Sequence, residues 1–226
     1  MEKDSQRQIY WEKNIVPFSG FYHAGSEEAI DGPAWFRWLY SRLIFPIEKR
    51  YMRERHDMVK EYLSCHCREQ VRLADIGFGS GIFTRVAIEA GARVWAVDFS
   101  KSAVEAASAA IPEQFRAQVE FVHGDIRQHP IPFSDVAIAI GLLTYIDDAD
   151  TFFDHVLPHT KRILFNFINR DNLLNRLRRL IPMLDVRSLA YHKLDEIEGM
   201  LHERGFIIEY VKPLATGFMV SGMKTV

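Results

Sequence analysis

From residue 71 onward, short apolar runs alternate with segments of helical periodicity, and this alternation constrains the fold more than any other feature. The runs that read as strands are 71–76, 93–98, 119–125, 135–141, 161–167 and 206–211. Parallel neighbouring strands need a crossover helix and are buried on both faces, so this succession indicates βα units. We therefore predict an α/β fold, a three-layer αβα sandwich with a mostly parallel sheet. The last segment, 217–226, fits an edge strand.

Two segments lie outside the alternation. Residues 1–63 read as helices, one over 35–45 and a second opened by Pro46 in its first turn. Residues 169–192 follow the fifth strand and are too long for an ordinary connection. We predict an N-terminal helical cap or lid over 1–63, and a Rossmann-like domain over 64–226 that carries an insertion at 169–192.

Composition narrows the class of protein. The 226 residues are 48% hydrophobic and 26% charged, which suits one globular domain, and the formal charge of −2 gives no cationic field for nucleic acid. Two cysteines, Cys65 and Cys67, support neither a disulfide framework nor a metal site. The first ten residues are charged and no run approaches the roughly 20 apolar residues of a membrane span. We expect a cytoplasmic protein without integral membrane association.

The most informative motif is the glycine-rich turn from Asp75 to Gly81, between the first strand and the first following helix. Glycine lets the chain turn sharply, and a helix N-terminus offers unpaired N–H groups. A dinucleotide fingerprint counted from Gly77 would need glycine where Ile82 stands, and the lysine of a P-loop is missing. Asp75 would repel a pyrophosphate and attract a cationic ligand. S-adenosylmethionine, with an ammonium, a sulfonium and no phosphate, fits these requirements.

Two further acids follow strands at matching positions. Asp98 ends the second strand, 21 residues after Gly77, where a carboxylate can accept hydrogen bonds from both hydroxyls of a ribose. Asp125 follows the third strand and can accept from an exocyclic adenine amine while Ile126 covers the ring. The ends of three strands therefore carry residues suited to bind the methionine, ribose and adenine parts of the cofactor, in that order.

At LADIGFGSG, the acid of VWAVDFS, HGDI and FSDVAIAIGLLTYIDD, the chain resembles the class I, Rossmann-like S-adenosylmethionine-dependent methyltransferases. The resemblance covers roughly residues 58–211. It implies a seven-stranded sheet in the order 3-2-1-4-5-7-6 with strand seven antiparallel. The cofactor contacts that it implies are Asp75, Gly77, Gly79, Asp98, Phe99, Asp125, Ile126 and the backbone near Gly141 and Leu142. We add Gly81, within the turn, and Tyr22, from the predicted lid.

A methyl transfer site must exclude water, so it needs a cover. We expect this cover to come from aromatic side chains of the first 30 residues, namely Tyr10, Trp11, Phe18, Phe21 and Tyr22. For an acceptor that must lose a proton, the candidates are Tyr145, just after the fourth strand, as a positioning residue and His192, at the end of the insertion, as the base. Catalysis by proximity alone stays open.

The insertion contains a basic helical stretch over 172–181. Its leucines lie on one face, and we expect them to pack inward while the arginines are solvated. An anionic acceptor held by one of Arg176, Arg178, Arg179 or Arg187, or contact with an acidic membrane surface, are the alternatives. This helix and the Tyr-His pair after it are similar to small-molecule O-methyltransferases acting on magnesium protoporphyrin or quinone precursors.

The predicted activity is S-adenosylmethionine-dependent methylation of an oxygen or nitrogen of a small molecule, with S-adenosylhomocysteine as the product. Neither nucleic acid nor a metal is expected, because the Pro-Pro-aromatic motif of DNA amino-methyltransferases and the acid and Asp-Asn pair of metal-assisted catechol chemistry are missing. Two alternatives remain: a nicotinamide-dependent oxidoreductase on a similar fold, and a non-catalytic S-adenosylmethionine-binding partner protein.

Overall fold

Seven strands form one central sheet in the computed structural model, which describes residues 33–43, 45–180 and 189–225. The strands are β1 Arg72–Ile76, β2 Arg93–Asp98, β3 Val119–His123, β4 Val136–Ala139, β5 Arg162–Ile168, β6 Phe206–Pro213 and β7 Gly217–Lys224. The helices are α1 Ala34–Leu43, α2 Phe45–His66, α3 Ile82–Glu89, α4 Lys101–Ala110, α5 Ala149–Val156, α6 Leu173–Leu180 and α7 Leu194–Glu203. The strands and helices predicted from the sequence lie within a few residues of these bounds.

The sheet order is β3-β2-β1-β4-β5-β7-β6. The pairs from β3 to β5 are parallel, and β7 runs antiparallel to both β5 and β6. This topology confirms the predicted fold class and strand order. Parallel neighbours bring their carboxyl ends to one edge, which gathers the loops after β1, β2, β3 and β4.

The final segment differs from the expectation for an edge strand. β7 lies between β5 and β6, and β6 is the outer strand. The chain forms the antiparallel pair β6–β7 and then inserts β7 next to β5, where Met219, Val220 and Ser221 are fully buried. Its apolar residues therefore reflect burial on both faces rather than a solvent-facing edge.

Buried side chains form a cluster on each face of the sheet. One includes Val59, Tyr62 and Leu63 of α2 together with residues of β1 and β2. The other is rich in aromatic residues of α5 and β5. The predicted division between residues 63 and 64 thus falls inside a continuous helix, and the second half of α2 packs as one of the sheet's covering helices. None of the described helices is long and apolar enough to cross a membrane.

Helix α6 is turned the opposite way from the expectation. Leu173, Leu177 and Leu180 are exposed, whereas Asn175 and Arg178 are buried. The inward face is polar because the loop backbone beneath it offers carbonyl groups: the Asn175 side-chain amide donates to the carbonyls of Asn169 and Thr216, both at 2.7 Å. Satisfying those buried carbonyls fixes the rotation of the helix and leaves the leucines in solvent.

Candidate functional site

The glycine-rich turn joins β1 to α3 at the carboxyl edge of the sheet. Its three glycines, Gly77, Gly79 and Gly81, have φ values of 72°, 55° and 73°, which residues with a Cβ rarely adopt. The N–H of Gly77 donates to the carbonyl of Val97 at 2.8 Å, which ties the turn to β2. A Cβ on Gly81 would lie 2.8 Å from the Cβ of Ala107, so glycine also lets α4 pack closely against the turn.

Asp98, the last residue of β2, braces this turn. Its Oδ2 accepts a hydrogen bond from the N–H of Gly79 at 2.8 Å, and its Oδ1 accepts from the N–H of Ser100 at 2.9 Å. The residue is 6% exposed, and it lines the pocket at this edge. The two donors fix the orientation of the carboxylate, whose remaining lone pairs can accept hydrogen bonds from a ligand.

Asp125 follows β3 and is bound by its neighbour Arg127. The guanidinium donates to the carboxylate from Nε at 3.0 Å and from Nη2 at 2.6 Å, and the N–H of Arg127 adds a third bond. Although partial burial opposes the charge, these contacts hold the pKa of Asp125 below its usual value. The side chain therefore stays charged and oriented, with Arg127 beside it as a residue that the sequence analysis did not predict.

Asp75 lies behind the turn rather than at its surface. It is 2% exposed, and its Oδ2 accepts a hydrogen bond from the hydroxyl of Thr84 at 2.6 Å. Burial raises the pKa of Asp75 to about 7, with nearby Asp98 adding to the rise and Thr84 opposing it. A carboxyl that is partly protonated at neutral pH attracts a cation less strongly than the sequence analysis assumed, so its contact to a ligand stays a prediction.

A pocket of about 680 Å³ opens between the loops that follow β1 to β4. Seven predicted site residues form part of its wall: Gly77, Asp98, Phe99, Asp125, Ile126, Leu142 and Tyr145. The described wall also contains residues that were not predicted, among them His123, Arg127, Asp147, Asp148 and Thr151. A lining that combines charged and polar groups with apolar side chains is the usual make-up of a small-molecule site.

Gly141 has φ +80°, and its backbone is engaged within the protein. Its N–H donates to Oδ1 of Asn166 at 2.7 Å, and its carbonyl accepts from the hydroxyl of Thr144 at 2.7 Å. Asn166 in turn donates to the hydroxyl of Tyr51 at 2.6 Å. This chain of bonds joins the end of β4 to β5 and α2, and the predicted cofactor contact with the backbone near Gly141 stays a prediction.

Arg55 of α2 lies over the same glycine. A Cβ on Gly141 would be 2.9 Å from its Nη1, and the arginine is only 6% exposed. A guanidinium at this depth, next to the loop after β4, is well suited to an anionic group. No sequence pattern indicated Arg55, because its position depends on how α2 crosses the carboxyl edge of the sheet.

His192 is buried, and its ring contacts backbone rather than the pocket. Its Nε2 lies 3.2 Å from the carbonyl oxygen of Leu143 and 3.0 Å from that of Ile146. Two carbonyl acceptors require Nε2 to carry a proton, so this nitrogen cannot accept one from an acceptor substrate. The geometry favours a structural role in holding the 143–146 loop, and it weighs against the predicted general base.

Several predicted residues lie outside the described residues, namely Tyr10, Trp11, Phe18, Phe21, Tyr22 and Arg187. Within the described part of the chain, no group of three or more His, Cys, Asp or Glu side chains is arranged to hold a metal ion.

Of the predicted catalytic pair, Tyr145 and His192, the structure brings only Tyr145 to the pocket wall.

Comparisons with known proteins agree with this geometry. Residues 74–162 match the family model described as "Methyltransferase domain". The chain is 24% identical over 169 residues to the mitochondrial ubiquinone biosynthesis O-methyltransferase of Schizosaccharomyces pombe, a match that spans 69% of this chain and 62% of the yeast protein. The match therefore covers less than two thirds of that relative's length.

Solved structures share the fold. The magnesium protoporphyrin IX methyltransferase of Synechocystis PCC 6803, solved with bound S-adenosylhomocysteine, superposes with a TM-score of 0.75 at 17% identity over 98% of this chain and all of that one. The [4+2]-cyclase SpnF superposes with a TM-score of 0.62 at 16% identity over 75% of this chain and 81% of that one.

The strand order, the glycine turn and the acids after β2 and β3 define the Rossmann-like class of nucleotide-binding folds found in methyltransferases. Within this class of folds, the family match over residues 74–162 is to the methyltransferases. Over these residues the chain is similar to methyltransferase domains, which agrees with the resemblance seen in the sequence motifs.

Proposed function

We propose that the protein transfers a methyl group from S-adenosylmethionine to an oxygen or nitrogen of a small-molecule acceptor. The observation that carries the proposal is the carboxylate of Asp98, held by two backbone N–H groups and lining a 680 Å³ pocket beside the glycine turn. The methyltransferase-domain match and the S-adenosylhomocysteine bound in the Synechocystis neighbour support the same cofactor.

The residues present fit this cofactor. In our proposal the amino-acid end lies against the turn with its positive-φ glycines, and the buried guanidinium of Arg55, next to Gly141 at the same edge, binds its carboxylate. Asp98 accepts from the ribose hydroxyls, and Asp125 and Ile126 hold the adenine. When bound, the sulfonium supplies an electrophilic methyl group.

The chain's own contribution to the reaction is alignment and exclusion of water. Leu142 and Tyr145, after β4, line the pocket beside the turn, and Tyr145 is the predicted positioning residue for the acceptor. Because displacement at a methyl group needs donor and acceptor in line, holding them in one enclosed pocket supplies much of the acceleration. Because the ring of His192 contacts backbone carbonyls, the structure best supports a mechanism in which Tyr145 and the pocket wall hold donor and acceptor close together.

The nature of the acceptor follows from the relatives' names and remains part of the proposal. The yeast protein is named for ubiquinone biosynthesis and the Synechocystis protein for magnesium protoporphyrin IX, both small molecules. We propose that the acceptor is a small molecule rather than nucleic acid. We also propose that residues 1–63 form a lid and that the protein is located in the cytoplasm. The name of the yeast relative includes "mitochondrial", so fractionation of cells is the measurement that decides the location.

The decisive experiment combines binding and turnover. Calorimetry should give micromolar binding of S-adenosylhomocysteine and none of NADH. Incubation with methyl-labelled S-adenosylmethionine and pools of hydroxylated and amine metabolites should transfer label to a small molecule. NADH binding in place of S-adenosylhomocysteine would favour the oxidoreductase. Tight S-adenosylhomocysteine binding without transfer to any pool would favour the non-catalytic partner protein. The experiment is needed because a [4+2]-cyclase has the same fold, so the architecture alone does not define a reaction.

A further inference from the structure

Exposed apolar side chains are concentrated on two helices. Among the described residues, ten large hydrophobic side chains are exposed, and eight of them lie on α1, the first turn of α2 or α6. These eight are Trp35, Trp38, Leu39, Leu43, Ile47, Leu173, Leu177 and Leu180. The other two, Phe133 and Ile207, lie at the amino-terminal edge of the sheet. Such clustering marks an interaction surface, whereas scattered exposed hydrophobics are ordinary.

Helix α6 shows most clearly that this surface is specified. Leu173 and Leu180 are 82% and 79% exposed, and at 100° per residue the three leucines fall within an arc of about 60°. The opposite side holds Asn175, whose hydrogen bonds to two loop carbonyls fix the rotation of the helix. A helix that buries its amide and exposes its leucines has an apolar face without a partner in the described structure.

Charge indicates the kind of partner. Helices α1 and α6 together contain five arginines and no acidic residue, in a chain whose formal charge is −2. Four of these arginines are exposed: Arg37, Arg42, Arg176 and Arg179. Arg176 makes a long contact of 3.4 Å with exposed Asp171, and Arg42 lies 5.7 Å from the ring of Trp38. Tryptophan and leucine flanked by arginine is the pattern of helices that lie in the headgroup region of an anionic bilayer.

Both helices emerge at the same end of the molecule. Helix α6 begins after the carboxyl end of β5 and is anchored to Asn169 and Thr216 there. Helix α1 precedes α2, whose Tyr51 and Arg55 contact the ends of β5 and β4. The basic apolar surface is therefore on the same edge of the sheet as the pocket.

We propose that α1 and α6 form a docking surface for an anionic lipid bilayer, with the leucine stripe of α6 and the tryptophans of α1 in the headgroup and acyl boundary. This proposal concerns attachment to the surface of a membrane and does not depend on the methyl-transfer reaction.

Vesicle flotation of the full chain tests the proposal. The wild type should float with vesicles of phosphatidylcholine mixed with phosphatidylglycerol at low salt, and much less with vesicles of phosphatidylcholine alone. Leu177→Ser should lower partitioning about tenfold, because burying a leucine is the main apolar contribution. Arg179→Gln should lower it about fivefold on the anionic vesicles only.

Matched controls come from the opposite edge of the sheet. Ile207 is 42% exposed, close to the 45% of Leu177, and it lies near the start of β6. Arg93 is exposed at the start of β2. Ile207→Ser and Arg93→Gln should leave flotation unchanged. Should either control lower it as much as its partner on α6, the docking surface is not where we place it.

Tryptophan fluorescence gives a second, independent measurement on the same samples. Lipids brominated on the acyl chain should quench the protein, and Trp38→Phe should remove part of that quenching while Trp95→Phe, on β2, removes none. Leu180→Ser provides a second stripe variant if Leu177→Ser fails to fold by circular dichroism.

Three outcomes would overturn the proposal. One is the absence of flotation with anionic vesicles at low salt. Another is flotation that salt abolishes but the leucine variants do not change, which means adsorption by charge alone. The third is a dimer in solution, by light scattering, that the leucine variants dissociate without any vesicle binding, which makes the α6 face an interface between copies of the chain.

Discussion

The glycine-turn side of the molecule and the 169–192 side are built on different principles. On the first, the Gly79–Asp98 contact joins the ends of the adjacent parallel strands β1 and β2, and the Asp98–Ser100 contact lies within the loop after β2. On the second, His192 is held by carbonyls of Leu143 and Ile146, 49 and 46 residues away. Contacts on the first side come from the repeated geometry of βα loops, whereas those on the second side are made with backbone that is far away in the sequence. Three of the residues predicted for the first side, Gly77, Asp98 and Phe99, line the pocket, whereas the ring of His192 contacts backbone carbonyls.

The largest expected effect tests the glycine-turn side. Asp98→Ala removes a charged acceptor for a bound ribose and also the brace of two N–H groups. At about 1.5 to 3 kcal/mol for each hydrogen bond to a charged group, affinity for S-adenosylhomocysteine should fall roughly 100-fold or more by calorimetry. Asp135→Ala is the control, because Asp135 accepts the Arg72 N–H at the opposite edge. Equal affinity in wild type and Asp98→Ala, with both folded, removes Asp98 from the cofactor site.

The next prediction concerns Asp75, beneath the same turn. Its folded pKa of about 7 lies above the unfolded value of 3.8, so the folded state binds the proton more tightly. Stability should therefore be highest at acid pH and fall as pH rises toward 7, by about 2 kcal/mol between roughly pH 5 and pH 8. Denaturant unfolding should show a smaller fall in Asp75→Asn.

Asp135 provides a control with the opposite sign. Although partial burial opposes the charge, the Lys161 contact lowers its pKa, so its contribution is present above the unfolded pKa and lost as pH falls. Asp135→Asn should weaken the loss of stability on acidification. Parallel pH curves for wild type and Asp75→Asn would show that Asp75 ionises as freely in the folded protein as in the unfolded chain.

His192 tests the other side. If the ring holds backbone carbonyls, His192→Ala should lower the free energy of unfolding by about 2 kcal/mol, since it removes a buried donor shared by the carbonyls of Leu143 and Ile146. Turnover per folded molecule, with whichever acceptor the labelled screen finds, should change less than tenfold. Loss of about 10²- to 10⁴-fold, together with recovery at high pH, is the pattern of a general base and contradicts the structural role. His202→Ala is the matched control variant, because His202 is an exposed histidine in the last turn of α7.

The smallest expected effect concerns Arg127, which orients Asp125. The guanidinium is about half exposed, so the ion pair is partly screened by solvent. Arg127→Gln should weaken S-adenosylhomocysteine binding about threefold, consistent with a contribution of well under 1 kcal/mol. A tenfold or larger loss would mean that Arg127 contacts the ligand directly rather than through Asp125.

Much of the fold was determined by the sequence itself. Period-two and continuous apolar runs predicted the strands, and helical periodicity predicted the helices between them, because burial of a side chain follows from its local period. Asp98 and Asp125 were also predictable: Asp98 ends β2, Asp125 follows β3, and parallel strands bring their carboxyl ends to one edge. Strand order and the antiparallel β7 came from the family resemblance rather than from the residues alone.

Only the tertiary structure decided the rest. The orientation of α6, the contact of Arg55 with Gly141 and the carbonyl partners of His192 each depend on residues far apart in the chain. For α6, periodicity identified the leucine face correctly, but it could not tell that the loop beneath the helix offers carbonyls that Asn175 satisfies. Which face of an amphipathic helix turns inward depends on what lies below it, and in α6 the face that hydrogen-bonds to backbone carbonyls is buried while the three leucines are exposed.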